Sequence, residues 1–246
     1  MNTLATPITW ADLVRIKKAA KAATGALAQL SHAQRLDALA VSEFGARHFH
    51  ELQKRYEAHV ASHVELAGAH HCRFCHLNFS DFDAGDRKLH QERHQLFEEA
   101  QLSLGFLPLP YKEREEMKRE FGYDQLSSGA PMTRRMGALA ILLSHYDRSL
   151  ERAIQNGRWH KHPTLLEYLP CAVATSTFLA GNVREQLVNE FGEQPGVIPK
   201  GDTDWPAGLQ RKAGFNSGEA AASQKLREAI LSAHRASKST GAAIPV

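Results

Sequence analysis

Cys72 and Cys75 are two residues apart, His90 and His94 are three apart, and fourteen residues lie between the two pairs. A Cys-x-x-Cys turn aims two thiolates at one point. Histidines four positions apart share a helix face, so together the four donors close a tetrahedron. Thiolate and imidazole donors at this spacing suit zinc, and the fourteen-residue gap lies within the window for such sites. Four protein ligands leave no position for a reacting water, so the expected role is structural. His71 and His76 flank the cysteines and are alternative ligands. A redox Cys-x-x-Cys would need a thioredoxin-like strand pattern, which is absent. Glu92 is wrongly placed for the helix motif of zinc proteases.

These residues resemble a C2H2 zinc finger, with Phe79 in the place of the core aromatic and Phe74 as a further apolar contributor. The common finger has about twelve residues between its pairs and a core leucine three before the first histidine. Here that position holds Arg87, and Leu89 directly precedes His90, so the helix entry is expected to be redrawn around Asp83 to Asp86. In the usual register the base-reading positions would fall near Asp83, Gly85, Asp86 and Leu89. Residues 71–104 hold four bases (Arg73, Arg87, Lys88, Arg93) against six acids, a net charge of −2. Two carboxylates at a helix start oppose phosphates, so the segment is expected to staple the protein rather than read a major groove.

Candidate contacts for an anionic partner lie elsewhere. Arg158, Trp159 and Lys161 sit in a turn between Gly157 and Pro163, with His160 and His162 beside them. Cations around an indole suit stacking on an unpaired base, while the alternative is a solvated turn with its indole in the core. Arg134 and Arg135 follow a Ser/Gly loop at an expected helix start, where backbone N–H groups also favour anions. Arg211 and Lys212 accompany Trp205 in a Pro/Gly/Asn-rich stretch at 193–217. Lys17, Lys18 and Lys21 read as a solvated stripe. No phosphate-cradling glycine loop, nucleophile elbow or paired-acid motif is present, and Cys171 reads as a small buried hydrophobe; an enzyme is not expected.

The elements that must position these residues are mostly helical. Thr9 can cap a first helix carrying Leu13, Ile16, Ala20 and Ala23. Ser31 and Gln34 form a capping box for a second, with Leu36, Leu39 and Ala40 inside and Gly45 past its end. A third carries Phe49, Leu52, Tyr56, Val60 and His63 and is expected to run until Gly68. Beyond the Cys/His segment the pattern predicts a short charged helix at 112–121, apolar helices near 134–156 and 164–191, and a last amphipathic helix at 218–236. The expectation is a mainly α protein in three parts: an N-terminal helical module (1–70), a C2H2-like finger (71–104) and a C-terminal helical domain (105–246) with a long loop at 193–217.

Leu30 to Leu52 resembles a short N-terminal motif of uncharacterised bacterial proteins, often plasmid-borne and in some cases carrying a glyoxalase-related label. Ser31, His32, Leu36, Asp37, Gly45 and Phe49 match that motif, with one extra residue between His32 and Gly45 and Arg35 in place of a small residue. The resemblance implies a helical module in a mobile-element setting and no glyoxalase chemistry.

Composition sets the remaining bounds. The 246 residues are 43% hydrophobic and 23% charged, ordinary globular values, and the net charge of +3 permits an anionic partner without demanding one. The longest apolar run, Met136 to Leu143, is far short of a bilayer span, and three cysteines give no disulfide framework. The expectation is therefore a cytoplasmic protein that works by binding. The leading expectation is a zinc-stabilised accessory factor associated with DNA or RNA, or one subunit of a larger nucleoprotein complex on a bacterial mobile element. The alternative is a protein-binding adapter or inhibitor, for example of a host defence system, using the finger as its contact. Third is a hydrolase or transferase using the 193–217 loop.

Overall fold

The computed structural model describes residues 7–66, 70–127, 130–179, 181–195 and 218–241. The chain is mainly α, and it divides into two compact units, Met1–Leu102 and Ser103–Val246.

The first unit opens with three helices: α1 (Trp10–Lys21), α2 (His32–Phe44) and α3 (Phe49–Ser62). Thr9 starts α1 with a reciprocal capping box to Asp12, and Ser31 starts α2 in the same way with Gln34. Gly45 ends α2 at φ +60°, a left-handed turn that glycine adopts without strain. Leu13 and Ile16 of α1 pack with Ala40 of α2 and with Phe49, Leu52, Tyr56 and Val60 of α3, which is why apolar residues recur at helical spacing in all three. Ala23 falls outside α1 and is only half-buried. The third helix ends at Ser62, earlier than its apolar pattern suggests, because His63 caps it and the chain turns into a strand. Gly68, the expected stop, lies outside the described residues.

A small antiparallel sheet follows in the order β1 (Val64–Glu65), β2 (His70–Cys72) and β3 (Asn78–Phe79), with Val64 opposite Cys72 and His70 opposite Phe79. Strands of two or three residues are too short to show alternation, so sequence periodicity gave no sign of them. The sheet leads into α4 (Ala84–Leu104).

The second unit is built around α7 (Pro131–Gln155), which buries every residue from Gly137 to Ser144. Before it come α5 (Tyr111–Glu116), a π-helical turn over Met117–Tyr123 and α6 (Asp124–Leu126), so the helix expected at 112–121 is longer and changes pitch midway. The expected helix at 164–191 is two: α8 (Leu165–Thr175), capped by Thr164 and Glu167, and α9 (Gly181–Phe191). The break follows Thr175 and Ser176, whose hydroxyls bond back to the carbonyls of Cys171 and Ala172 and close the last turn. The last helix, α10 (Gly218–Gly241), runs beyond the expected 236. Its Arg227 reaches buried Asp147 of α7 at 2.9 Å and also donates to the Leu107 carbonyl. Among the described residues, no helix is long and apolar enough to cross a membrane.

Candidate metal centre

Cys72, Cys75, His90 and His94 come together as one buried group, with ligand atoms all within 4.8 Å of one another. Such a group could hold a metal ion. The local chain explains the convergence. Cys72 ends β2, where its N–H donates to the Leu77 carbonyl, while the His76 N–H donates to the Cys72 carbonyl and tightens the turn. His76 completes that turn at φ +57°, in the left-handed region that histidine enters more readily than most residues with a Cβ. Across the cluster, α4 supplies His90 and His94 one helical turn apart on its buried face.

The entry to α4 is built by two aspartates. Asp83 immediately precedes the helix and accepts from the Asp86 N–H at 2.9 Å, and Asp86 accepts from the Ser80 N–H at 2.9 Å. These carboxylates serve the helix entry. Phe79 is buried and stacks on His90, its ring 4.1 Å away at 13°. Leu89 is 51% exposed and does not replace the missing core leucine. Phe97, one turn beyond His94, supplies the apolar support, with Phe74, His76 and Arg93 against its ring.

The electrostatics fit a cation at the centre. Cys72 accepts from the Cys75 thiol and, against the effect of burial, from the His90 and His94 rings, which together hold it far below the usual thiol range. Cys75 is pushed above that range by the same contact and by burial. Burial disfavours protonated His94, but the Cys72 sulfur and the Glu98 carboxylate outweigh it and raise its pKa. A divalent ion bound here would displace any proton held on its ligand atoms. The flanking histidines are placed differently. His71 Nδ1 lies 2.7 Å from Asn78 Oδ1, and His76 points its ring at Phe97. Neither belongs to the cluster.

Sequence reasoning overlooked Glu98. It is nearly fully buried, four residues after His94, and its Oε1 stands 3.3 Å from His94 Nε2. The repeated spacing of four, from His90 to His94 to Glu98, was the available signal.

The cationic candidates are spread through the second unit. Arg158 and Lys161 are exposed on a single 3-10 turn, with Trp159 half-buried between them. His162 is buried, with Nε2 2.8 Å from Ser149 Oγ and Nδ1 2.9 Å from the Pro163 carbonyl, and so belongs to the core. Arg135 is committed to Glu190 through two contacts, and Arg134 is half-buried beside it in sequence. Arg211 and Lys212, with Trp205 and most of the 193–217 stretch, lie outside the described residues. Lys17 reaches over the rings of Trp10 and Phe49, and Lys18 and Lys21 are exposed. Cys171 is buried and its thiol pKa is raised by that burial.

No protein-family model, curated protein or solved structure matches the chain.

Proposed function

We propose that this chain is a zinc-stabilised binding protein whose Cys/His segment is a C2H2-type finger used as a protein contact. The donor set supports zinc. Two cysteine sulfurs and two imidazoles, all buried, are the donor set that structural zinc takes in tetrahedral sites. One observation carries the choice of protein over nucleic acid at this segment: Phe82, at the turn into α4, is 96% exposed between Asp81 and Asp83. The carboxylates flanking this exposed ring repel phosphates, and the ring with its acidic neighbours suits a partner offering an apolar pocket with basic edges. The test uses a partner that co-purifies with the wild-type chain from its host. The zinc-loaded Phe82→Ser variant should lose that partner while keeping its metal and fold. Undiminished co-purification would remove the finger as the contact.

A second reading keeps the nucleic-acid accessory role and assigns it to the second unit. What favours it is the exposure of Arg158 and Lys161 on one turn beside Trp159. Nucleic-acid binding there would weaken steeply with salt, and removing both cations would flatten that dependence by about one unit of slope per lost phosphate contact. Binding that ignores ionic strength would exclude it.

A further inference from the structure

His94 faces two ways. Its Nδ1 lies 3.6 Å from Cys72 Sγ, on the metal side, and its Nε2 lies 3.3 Å from Glu98 Oε1, on the other. Both residues are buried, and neither His94 Nε2 nor Glu98 Oε1 is satisfied by a formed hydrogen bond, so each stands 3.3 Å from the group that could satisfy it. The second oxygen of Glu98 accepts the backbone N–H of Trp10 at 2.7 Å, and Trp10 is the first residue of α1. No lysine or arginine among the described residues pairs with Glu98. A carboxylate buried without a cation needs strong donors on both oxygens. The α1 N-terminus supplies one. The imidazole can supply the other only if its proton sits on Nε2, which leaves the Nδ1 lone pair for a metal.

We propose that Glu98 is a positioning residue of the metal centre: it holds His94 with its proton on Nε2 and Nδ1 turned to the ion, and it links that ion to the start of α1. This rests on the zinc reading above. Carboxylates behind metal-bound histidines fix the ring's tautomer and orientation and raise its basicity, and losing one costs about 10–100-fold in metal affinity. The usual finger geometry needs no link to a separate helical layer. Here the link spans 88 residues of sequence, so metal loading should be felt at the amides that open α1.

The experiment titrates Co2+ into the full chain and follows the thiolate charge-transfer and d–d bands for wild type, Glu98→Gln and Glu98→Ala. Imidazole nitrogen NMR on the zinc-loaded wild type reads which nitrogen of His94 carries the proton. Glu98→Ala should bind Co2+ about 10–100-fold more weakly, and Glu98→Gln, which retains an acceptor oxygen, should recover most of that loss. Amide exchange at residues 10–13 should rise in zinc-loaded Glu98→Ala, and in wild type on chelation. Wild-type Co2+ affinity in Glu98→Ala would overturn the proposal, and so would a His94 proton on Nδ1. The NMR result needs no variant, so it decides even if Glu98→Ala fails to fold. A wild-type chain that takes up neither ion would overturn the zinc reading itself and this proposal with it.

Discussion

The Cys/His segment of the first unit and the α7 core of the second are built differently. In the second, α7 is apolar over more than two turns, and the Oδ2 atom of its buried Asp147 takes Arg227 at 2.9 Å and the Leu109 N–H at 2.8 Å. Arg114 likewise reaches Glu151 at 2.8 Å and the Leu109 carbonyl at 3.0 Å. In the Cys/His segment, Phe79 and Phe97 are buried but Phe82 and Leu89 are turned outward. Its buried interior brings the Cys72 and Cys75 sulfurs and the His90 and His94 imidazoles within 4.8 Å of one another, with Glu98 behind His94. One region is held by area removed from water and by closed ion pairs. The other has too little apolar surface to fold alone and converges on a single point that a cation can satisfy.

That contrast predicts the largest effect. Chelation, or the Cys72→Ser, His90→Ala double substitution, should abolish metal binding and free residues 70–98 to rapid amide exchange, while residues 137–154 stay protected. Structural zinc in isolated fingers is worth about 10–16 kcal/mol of binding free energy, more than any side-chain contact here. Acid should act in the same direction. His94 holds its proton to higher pH than an ordinary histidine, so below that range the metal must displace a proton and its affinity falls as pH falls. The first unit should therefore loosen on acidification before the second does. Slow exchange at 72–94 after complete metal removal would break the comparison.

The reverse experiment acts on the second unit. Asp147→Ala leaves the Arg227 guanidinium buried without its carboxylate, which should cost about 3–5 kcal/mol in urea unfolding and leave metal content unchanged. Replacing both by apolar residues, as in Asp147→Leu with Arg227→Met, should cost much less, since no charge is then stranded. If the double variant were as unstable as the single one, the pair would hold the fold by more than mutual neutralisation.

A smaller loss is expected at the crossing of the π-helical turn and α7. A Cβ on Gly137 would stand 2.6 Å from both the Gly122 carbonyl and the Leu126 N–H, so neither backbone can yield cheaply. Gly137→Ala should cost about 1–3 kcal/mol, read as a lower urea midpoint with unchanged slope. An unaffected midpoint would mean the two segments separate more readily than their packing suggests.

How much of this was legible in the sequence follows the physics of each region. That Cys72, Cys75, His90 and His94 come together could be read directly, because a group able to hold a metal constrains both residue type and spacing. The first two helix starts were equally plain, since a capping box is a local exchange between Thr9 and Asp12 or Ser31 and Gln34. Features that depend on distant partners were not readable. Glu98 looks like any surface glutamate until the start of α1 is brought against it, and His162 looks like part of a basic turn until Ser149 meets its ring. Arg135 counted as a free cation only because Glu190 lies 55 residues away. The end of α3 was missed for a different reason: its apolar pattern continues into Val64, and a strand of two residues has no period of its own.

The smallest effects belong to the entry of α4, where the same carboxylates admit two descriptions. As base-reading residues, Asp83 and Asp86 would be essential to any specific nucleic-acid contact of the finger. As capping residues, they satisfy the Asp86 and Ser80 N–H groups, and only their hydrogen-bonding oxygens matter. Asp83→Ala should therefore lower stability by about 1 kcal/mol, while Asp83→Ser, which keeps an acceptor at the same place, should change it by a few tenths at most. The double variant Asp83→Ser, Asp86→Ser should keep its metal and lose no affinity for DNA or RNA, because removing two negative charges beside a phosphate backbone can only weaken repulsion. A zinc-loaded, folded double variant that lost sequence-specific binding would show that this helix start reads bases after all, and the difference drawn between the two units would then be one of partner as well as of construction.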